Sequence, residues 1–290
     1  MFDLHFHSDD PRLFAIASSV GSVALFKVTS PDPSSSPQIN QIWTRPVHED
    51  PTIPALFLAW APKRWLPDSR DGFAVTFSDG RTSVFGTSPG KEITDQDGLT
   101  ELGNFDDRQT IEVWFVALTA YPKNLADKDQ APIPFLFTGN DFGSLHTRLF
   151  NPDSIPEGEA EDDQRSALLP LRQDHDDRAR HHSAGVTSIL PLPVPLIDDA
   201  PILLTGSYDE YLRVYHATVR GKTLAEVRLG GGVWRLQVLQ KPSNNEDEEW
   251  RFLVLASCMH AGTRVVRVTW RRQDGNGEWD IDILAEFTEH

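Results

Sequence analysis

Ile202-Leu203-Leu204-Thr205-Gly206-Ser207-Tyr208-Asp209-Glu210-Tyr211-Leu212-Arg213-Val214-Tyr215 reads as an apolar run, a tight polar turn and a second apolar run. Short runs rich in Leu, Val, Ile and Phe, bounded by Gly and Asp, are strand signals, and two of them around a tight turn make a hairpin. The same unit recurs four more times: FAIASSVGSVALF from Phe14, FAVTFSDGRTSVF from Phe73, FLFTGNDFGSLHTRLF from Phe135 and FLVLASCMHAGTRVVRV from Phe252. The residues at the matching point of the turn are Gly21, Gly80, Gly143, Glu210 and Gly262. Gly is favoured there because such turns need positive φ.

A further apolar strand precedes each hairpin: Phe2 to Phe6, Ala55 to Trp60, Val113 to Leu118, Val186 to Leu190 and Val233 to Leu239. An outer strand follows several of them: Ile39 to Thr44, Thr223 to Leu229 and Ile281 to Phe287. A strand, a hairpin and an outer strand together make the four-stranded blade of a β-propeller. The expectation is an all-β chain, one propeller domain over residues 1–290, with blades at 1–53, 54–110, 111–181, 182–229 and 230–290. Polar stretches at 29–37, 86–108, 151–180 and 241–249 are expected to be surface insertions. Five blades are visible, with a trace of a sixth, whereas seven is usual for such repeats. A chain truncated from a seven-blade ring is therefore expected.

Composition narrows the class. The 21 prolines disfavour long helices, and no run of 18 apolar residues could span a membrane. The N-terminus carries no basic-then-apolar secretory signal. One cysteine, Cys258, excludes an internal disulfide framework, so a reducing compartment, cytosol or nucleus, is expected. The 43 acidic residues against 27 basic give a net charge of −16, which repels nucleic-acid phosphates. Arg271-Arg272 and the 178–182 stretch are too short to override it. Asp174-His175-Asp176-Asp177 and His181-His182 hold potential metal ligands but read better as a solvated loop.

Thr205 to Tyr215 and the Gly139-Asn140-Asp141 turn resemble WD-repeat blades, in which the second strand ends in a Ser/Gly-x-Asp turn. Tyr215, Phe26 and Phe85 stand where the signature Trp lies in that family. The Trp-Asp dipeptide is absent from those positions, and Trp279-Asp280 opens an outer strand instead. His182-Ser183-Ala184-Gly185-Val186-Thr187-Ser188-Ile189, then Leu204 to Glu210, Gly231-Gly232-Val233-Trp234-Arg235-Leu236, Ala256-Ser257-Cys258-Met259-His260-Ala261-Gly262 and Phe287-Thr288-Glu289-His290 follow in order. With Glu112-Val113-Trp114 upstream, this series resembles the diphthine methyl ester hydrolases of diphthamide biosynthesis, over roughly Glu112 to His290.

The resemblance implies a WD-repeat enzyme, monomeric and cytoplasmic, that hydrolyses the methyl ester of methylated diphthine on elongation factor 2. The products would be diphthine and methanol, with no cofactor or metal. The substrate carries a trimethylammonium group, which aromatic and acidic side chains suit. A non-catalytic WD-repeat scaffold for protein–protein interaction is the alternative, and no Gly-x-Ser-x-Gly elbow or His-Glu-x-x-His helix argues against it. A truncated, inactive fragment is a third.

Ester hydrolysis needs a base and an oxyanion donor. Propellers gather such groups where the first strands of successive blades begin, which singles out Glu112, Trp114, His182, Thr187, Gly232, Trp234 and Arg235. His260, Glu112 and Arg235 are the catalytic candidates. His260 is a base; Glu112 is a base, an ammonium partner or the arginine's ion-pair partner; Arg235 is an oxyanion contact or a structural cation. Cys258 and Ser188 are alternative nucleophiles. Cys258 and His260, two apart at a strand end, are expected on one face; a buried, inert thiol is the competing reading. Trp114, Trp234, Asp209 and His182 are the substrate-binding candidates. For the tryptophans the rival role is packing. For Asp209 and His182 it is a structural hydrogen bond to one another, and Asp141 reads like Asp209.

Overall fold

The computed structural model describes residues 3–30, 36–122, 131–151, 170–240, 243–245, 249–273 and 276–288. β1 (Asp3–Phe6), β2 (Leu13–Ala17), β3 (Ser22–Thr29) and β4 (Gln38–Pro46) form the first sheet, in that order. β5 (Ala55–Trp60), β6 (Gly72–Phe77), β7 (Arg81–Thr87) and β8 (Leu99–Asp106) form the second. β9 (Val113–Tyr121), β10 (Ile133–Asn140), β11 (Leu145–Phe150) and β12 (Leu171–Asp176) form the third. β13 (Val186–Pro191), β14 (Ile202–Ser207), β15 (Tyr211–His216) and β16 (Lys222–Arg228) form the fourth. The fifth runs β17 (Arg235–Val238), β19 (Glu249–Ser257), β20 (Thr263–Gln273), β21 (Asn276–Phe287), with β18 (Ser243–Asn245) paired to β19.

Each expected hairpin forms. Its turn residue sits at positive φ in all five sheets: Gly21 +59°, Gly80 +94°, Gly143 +89°, Glu210 +74° and Gly262 +81°. Glu210 is the exception to glycine, and its carboxylate accepts from Arg228 Nε at 2.8 Å. Two outer strands lie inside stretches expected to be insertions. Residues 86–108 contain β8, whose Leu99, Leu102 and Phe105 are buried between exposed polar residues. A register shift between Val84 and Phe85 disturbs the period-two pattern there. Residues 151–180 contain β12, whose sequence LRQDHD has one apolar side chain, so nothing in its hydropathy marks a strand. Most of the remaining insertion, 152–169, and the 31–35 stretch fall outside the described residues.

The chain divides into two compact units: Met1–Thr138 with Thr147–Asp174, and Gly139–His146 with His175–His290. In the first, one core gathers Leu13, Leu25, Trp43, Leu58, Phe73 and Phe77, and a second gathers Phe57, Trp65, Leu66, Leu136 and Phe150. In the second, the core runs from Leu192, Ile202, Leu204 and Val214 to Val233, Phe252, Val254 and Val268. β6 and β14 are buried at every residue, so both of their faces are covered. Each fully buried side chain of this size contributes about 1.5–3 kcal/mol.

Polar side chains close the strand ends. His48 Nε2 lies 3.1 Å from an Asp79 carboxylate oxygen, and Arg81 Nε donates to the same oxygen at 2.8 Å. In the third sheet a deeper pair takes this place. Arg148 donates to Asp107 at 2.9 Å and to Thr138 Oγ1 at 3.2 Å, and Thr138 donates to Asp107 at 3.1 Å. Neither charged side chain of the Arg148–Asp107 pair has solvent-accessible surface. Removing one partner strands a buried charge. Arg148→Ala is expected to destabilise the protein by about 3–5 kcal/mol in urea unfolding, and Arg148→Met with Asp107→Leu by far less.

Candidate functional site

Within the second unit, short polar contacts tie the fourth sheet to the fifth. Thr187, fully buried in β13, donates its hydroxyl to the carbonyls of Gly206, at 3.3 Å, and Val233. Ser188 Oγ accepts from the Leu236 amide at 3.1 Å, and the Val233 amide donates to Ser207 O at 2.9 Å. Arg235 Nη1 donates to Thr187 O at 3.2 Å and Trp234 O at 2.9 Å. Its guanidinium lies 4.7 Å from the Trp234 ring centroid, a stacking geometry worth about 0.5–1 kcal/mol.

Three turns bring further groups to the same place. Tyr208 stands on the turn after β14, its amide donating to Gly185 O at 2.9 Å, and its ring is 5.9 Å from that of Trp234. A Cβ on Gly185 would come within 2.9 Å of Tyr208 Cδ2 and 3.1 Å of Asp141 Oδ1. A Cβ on Gly232 would meet Met259 Sδ at 2.7 Å and Tyr208 Cδ1 at 3.2 Å. Burial pushes the Tyr208 phenol above its ordinary pKa; the Asp141 carboxylate adds to the rise and the Arg235 guanidinium opposes it. Asp141 is set by the Asn140 turn, where Asn140 Oδ1 accepts from the amides of Phe142 and Ser144.

The expected residues divide accordingly. Trp234 and Arg235 come together with the turn that carries His260, because Arg235 pairs with Ser257 in register and Gly231 packs on Ala261. His260 is exposed on a 3-10 turn, Met259–Ala261. Glu112 and Trp114 are half-buried at the start of β9, in the first unit. Cys258 and His260 do not share a face: the strand ends at Ser257, and the turn, with Met259 at φ 31°, breaks the alternation. Cys258 is buried, and burial pushes its thiol pKa up, which leaves it unreactive. Ser188 is buried with its oxygen occupied by the Leu236 amide.

The direct His182–Asp209 bond does not form. His182 Nε2 pairs with Thr205 Oγ1 at 2.8 Å, while Asp209 accepts from Arg213 Nη1 at 2.9 Å, Ser183 N at 3.0 Å and Tyr211 N at 3.1 Å. Arg213, four residues on, takes the place at Asp209 that the histidine's hydrogen bond was expected to fill. Burial alone would raise the Asp209 pKa, but Arg213 and the backbone amides outweigh it and the carboxyl lies below its ordinary value. His182 is pulled down to about 3, by burial first and then by the Arg213 charge. The residues read as loosely ligand-rich disperse into separate bonds. Tyr215 donates its hydroxyl to Asp177 at 3.0 Å, and His181 Nε2 lies 3.2 Å from Arg220 O. Among the described residues no group of three His, Cys, Asp or Glu is placed to hold a metal ion, and no helix is long and apolar enough to cross a membrane.

Sequence comparison finds diphthine methyltransferase of Schizosaccharomyces pombe, 36% identical over 89 residues, 31% of this chain and 24% of that protein. It also finds human diphthine methyltransferase, 33% identical over 88 residues, 30% of this chain and 17% of that protein. The chain resembles the diphthine methyltransferases. The expected likeness to this family is thus supported over about a third of the chain, and the matched stretch spans a quarter or less of each relative. No protein-family profile matches. Saccharomyces cerevisiae Sqt1 superposes with a TM-score of 0.54 at 13% identity, over 97% of this chain and 60% of that one. The WD40 domain of SCAP from fission yeast gives 0.50 at 10%, over 98% and 62%. Sqt1 of Chaetomium thermophilum, bound to the N-terminus of ribosomal protein L10, gives 0.50 at 13%, over 99% and 74%. The fold class is that of WD-repeat propellers.

Sequence reasoning passed over Tyr208, Arg213 and Met259. Tyr208 and Arg213 flank the Asp209 that drew attention, and Met259 lies between Cys258 and His260. Two measurements check the assignments. A neutral His182 in the folded state resists protonation, so its contribution is complete above about pH 6.5 and is lost as pH falls towards 3. Between pH 6.5 and 5, wild-type stability should fall by up to about 1.4 kcal/mol per pH unit, and His182→Gln should lack that component. Cys258 should resist iodoacetamide in the native protein and react on unfolding; rapid native alkylation would refute its burial.

Proposed function

We propose that this chain is the WD-repeat part of a carboxyl methyl esterase of diphthamide biosynthesis, acting on methylated diphthine of elongation factor 2. The observation that carries the reading is the 33–36% identity to proteins named for diphthine and its methyl chemistry. Hydrolysis is inferred from the resemblance, with His260 proposed as the base and Arg235 as the oxyanion contact that the reaction requires. A water oxygen attacks the ester carbonyl, His260 takes the water proton, and the developing oxyanion faces the Arg235 guanidinium. The bond to methoxide then breaks, His260 returns the proton, and methanol and the diphthine carboxylate leave. A positioned base contributes about 10²–10⁴-fold and an oxyanion donor about 10²–10³-fold.

Trp234 is proposed as the aromatic contact to the substrate. Glu112 and Trp114, in the first unit, are proposed as a further carboxylate and aromatic contact. Asp209 and His182 hold the turn beside the site. Elongation factor 2 is the proposed partner and the cytoplasm the proposed compartment, with the chain acting as a monomer.

The scaffold reading is favoured by one observation: Cys258 and Ser188 are both buried and bonded, so neither offers a nucleophile. Methanol release from elongation factor 2 bearing methylated diphthine separates the two, measured with this chain and with a form extended at both ends. The esterase reading expects release, lowered about 10²-fold or more by His260→Gln or Arg235→Lys and unchanged by Cys258→Ala. Binding of elongation factor 2 without methanol from either form would leave the scaffold. Glu112→Gln reports on the first unit's contribution in the same assay.

A further inference from the structure

The basic stretch at 178–182 takes no part in the chemistry described above, yet it leads into a fixed contact of the second unit. Arg178-Ala179-Arg180-His181-His182-Ser183 places arginines five and three residues before a serine, and no other serine or threonine of the chain has both. Arg178, Arg180 and Ser183 are exposed. Among the described residues the Ser183 hydroxyl makes no hydrogen bond, whereas its amide donates to Asp209 Oδ2 at 3.0 Å. Ser207 Oγ donates to Ala184 O at 2.9 Å, and the Tyr208 amide donates to Gly185 O at 2.9 Å. Three successive bonds thus tie residues 183–185 to the turn after β14, where Gly185 lies against the Tyr208 ring. The cation at this contact is already divided: Arg213 Nη1 donates to Asp209 at 2.9 Å and its Nε to Glu226 at 3.0 Å.

We propose that Ser183 is a phosphorylation site for a protein kinase that reads arginine at those two positions, and that the phosphate unlocks residues 183–185 from the turn that carries Asp209. In the transfer Ser183 Oγ attacks the γ-phosphorus of ATP. The Oγ–P bond forms, the bond to the β-phosphate oxygen breaks, ADP leaves and the hydroxyl proton is released. Two exposed guanidinia ahead of the serine suit a kinase cleft lined with carboxylates. The product carries about −1.5 to −2 charges at pH 7. They stand on the residue whose own amide is 3.0 Å from the Asp209 carboxylate, and like charges so placed repel. Arg213 is buried and committed to two carboxylates, so it is not free to neutralise a third anion. His182, the residue before the serine, is buried, so the kinase acts on the locally opened loop. Arg178 and Ala179 favour that opening, because they hold φ of 55° and 52°, a left-handed conformation costly for residues with a Cβ. A phosphate added in the open state then opposes reclosure. The switch does not depend on esterase chemistry, since it acts on the order of the loop.

The test incubates the chain with Mg-ATP and a serine/threonine kinase selective for arginine five and three residues before its target. A single phosphate is expected, mapped to Ser183 by peptide mass. Ser183→Ala should take up none, and Arg180→Ala should take it up about tenfold more slowly. The phosphorylated chain should melt about 2–4 °C below the unmodified one, and the difference should shrink in about 1 M NaCl, where charge repulsion is screened. The amides of Ser183 and Tyr208, both bonded across the contact, should exchange faster with deuterium. Ser183→Asp should reproduce part of the shift and the neutral Ser183→Asn none of it, which separates charge from bulk. No phosphate at Ser183 would overturn the proposal. A phosphate there that leaves the Tm and the exchange of those two amides unchanged would overturn it equally.

Discussion

Thr187 is wholly buried, and its hydroxyl is committed to two carbonyls, of Gly206 in its own sheet and Val233 in the next. A four-stranded sheet cannot bury two apolar faces alone, so each must lie against a neighbour, and the buried polar groups at the crossing must find partners there. Thr187, Ser188 and the Val233 amide meet that requirement between the fourth and fifth sheets. The chain path from Leu229 to Arg235 is fixed as a consequence. Trp234 and Arg235 stand where they do because Val233 and Leu236 on either side of them are bonded to the preceding sheet. The candidate face is thus a by-product of packing, built from side chains one position away from those that hold the sheets together.

That arrangement constrains the chemistry. The two groups that could act covalently are inside the protein, the serine as an acceptor and the cysteine as packing. In the proposed reaction the groups left at the surface, an imidazole, a guanidinium and an aromatic pair, bind, orient and move protons. A site of that kind favours direct attack by water over an acyl-enzyme. The low pKa of His182 belongs to the supporting layer: a neutral imidazole against Thr205, beneath the turn whose Asp209 is neutralised by Arg213.

The hairpins were legible because strand period and turn chemistry agree. All five turn positions read from the sequence adopt positive φ, even where the residue is Glu210. β8 and β12 were not, the first because a bulge shifts its register and the second because an exposed outer strand needs no apolar residues. The site was legible in part. Trp234 and Arg235 announce themselves as an aromatic and a charge at the head of an inner strand. Asp209 was read correctly as a turn residue, but its partner lies four residues on in its own hairpin, and pattern alone could not choose between Arg213 and His182. Tyr208 and Asp141 meet only through glycines distant in sequence, so no local motif joins them. The end of β19 at Ser257 also lay beyond periodicity, since Cys258 onward follows the turn rather than the strand.

The proposed function requires the turns of the second unit to form the face that meets the modified elongation factor. Hydrogen–deuterium exchange of the chain, with and without elongation factor 2 carrying methylated diphthine, tests it most directly. Protection is predicted at Asn140 to Gly143, Tyr208 to Tyr211, Gly231 to Arg235 and Met259 to Gly262. Protection confined to the outer strands β4, β16 and β21, with those four turns unchanged, would contradict the account.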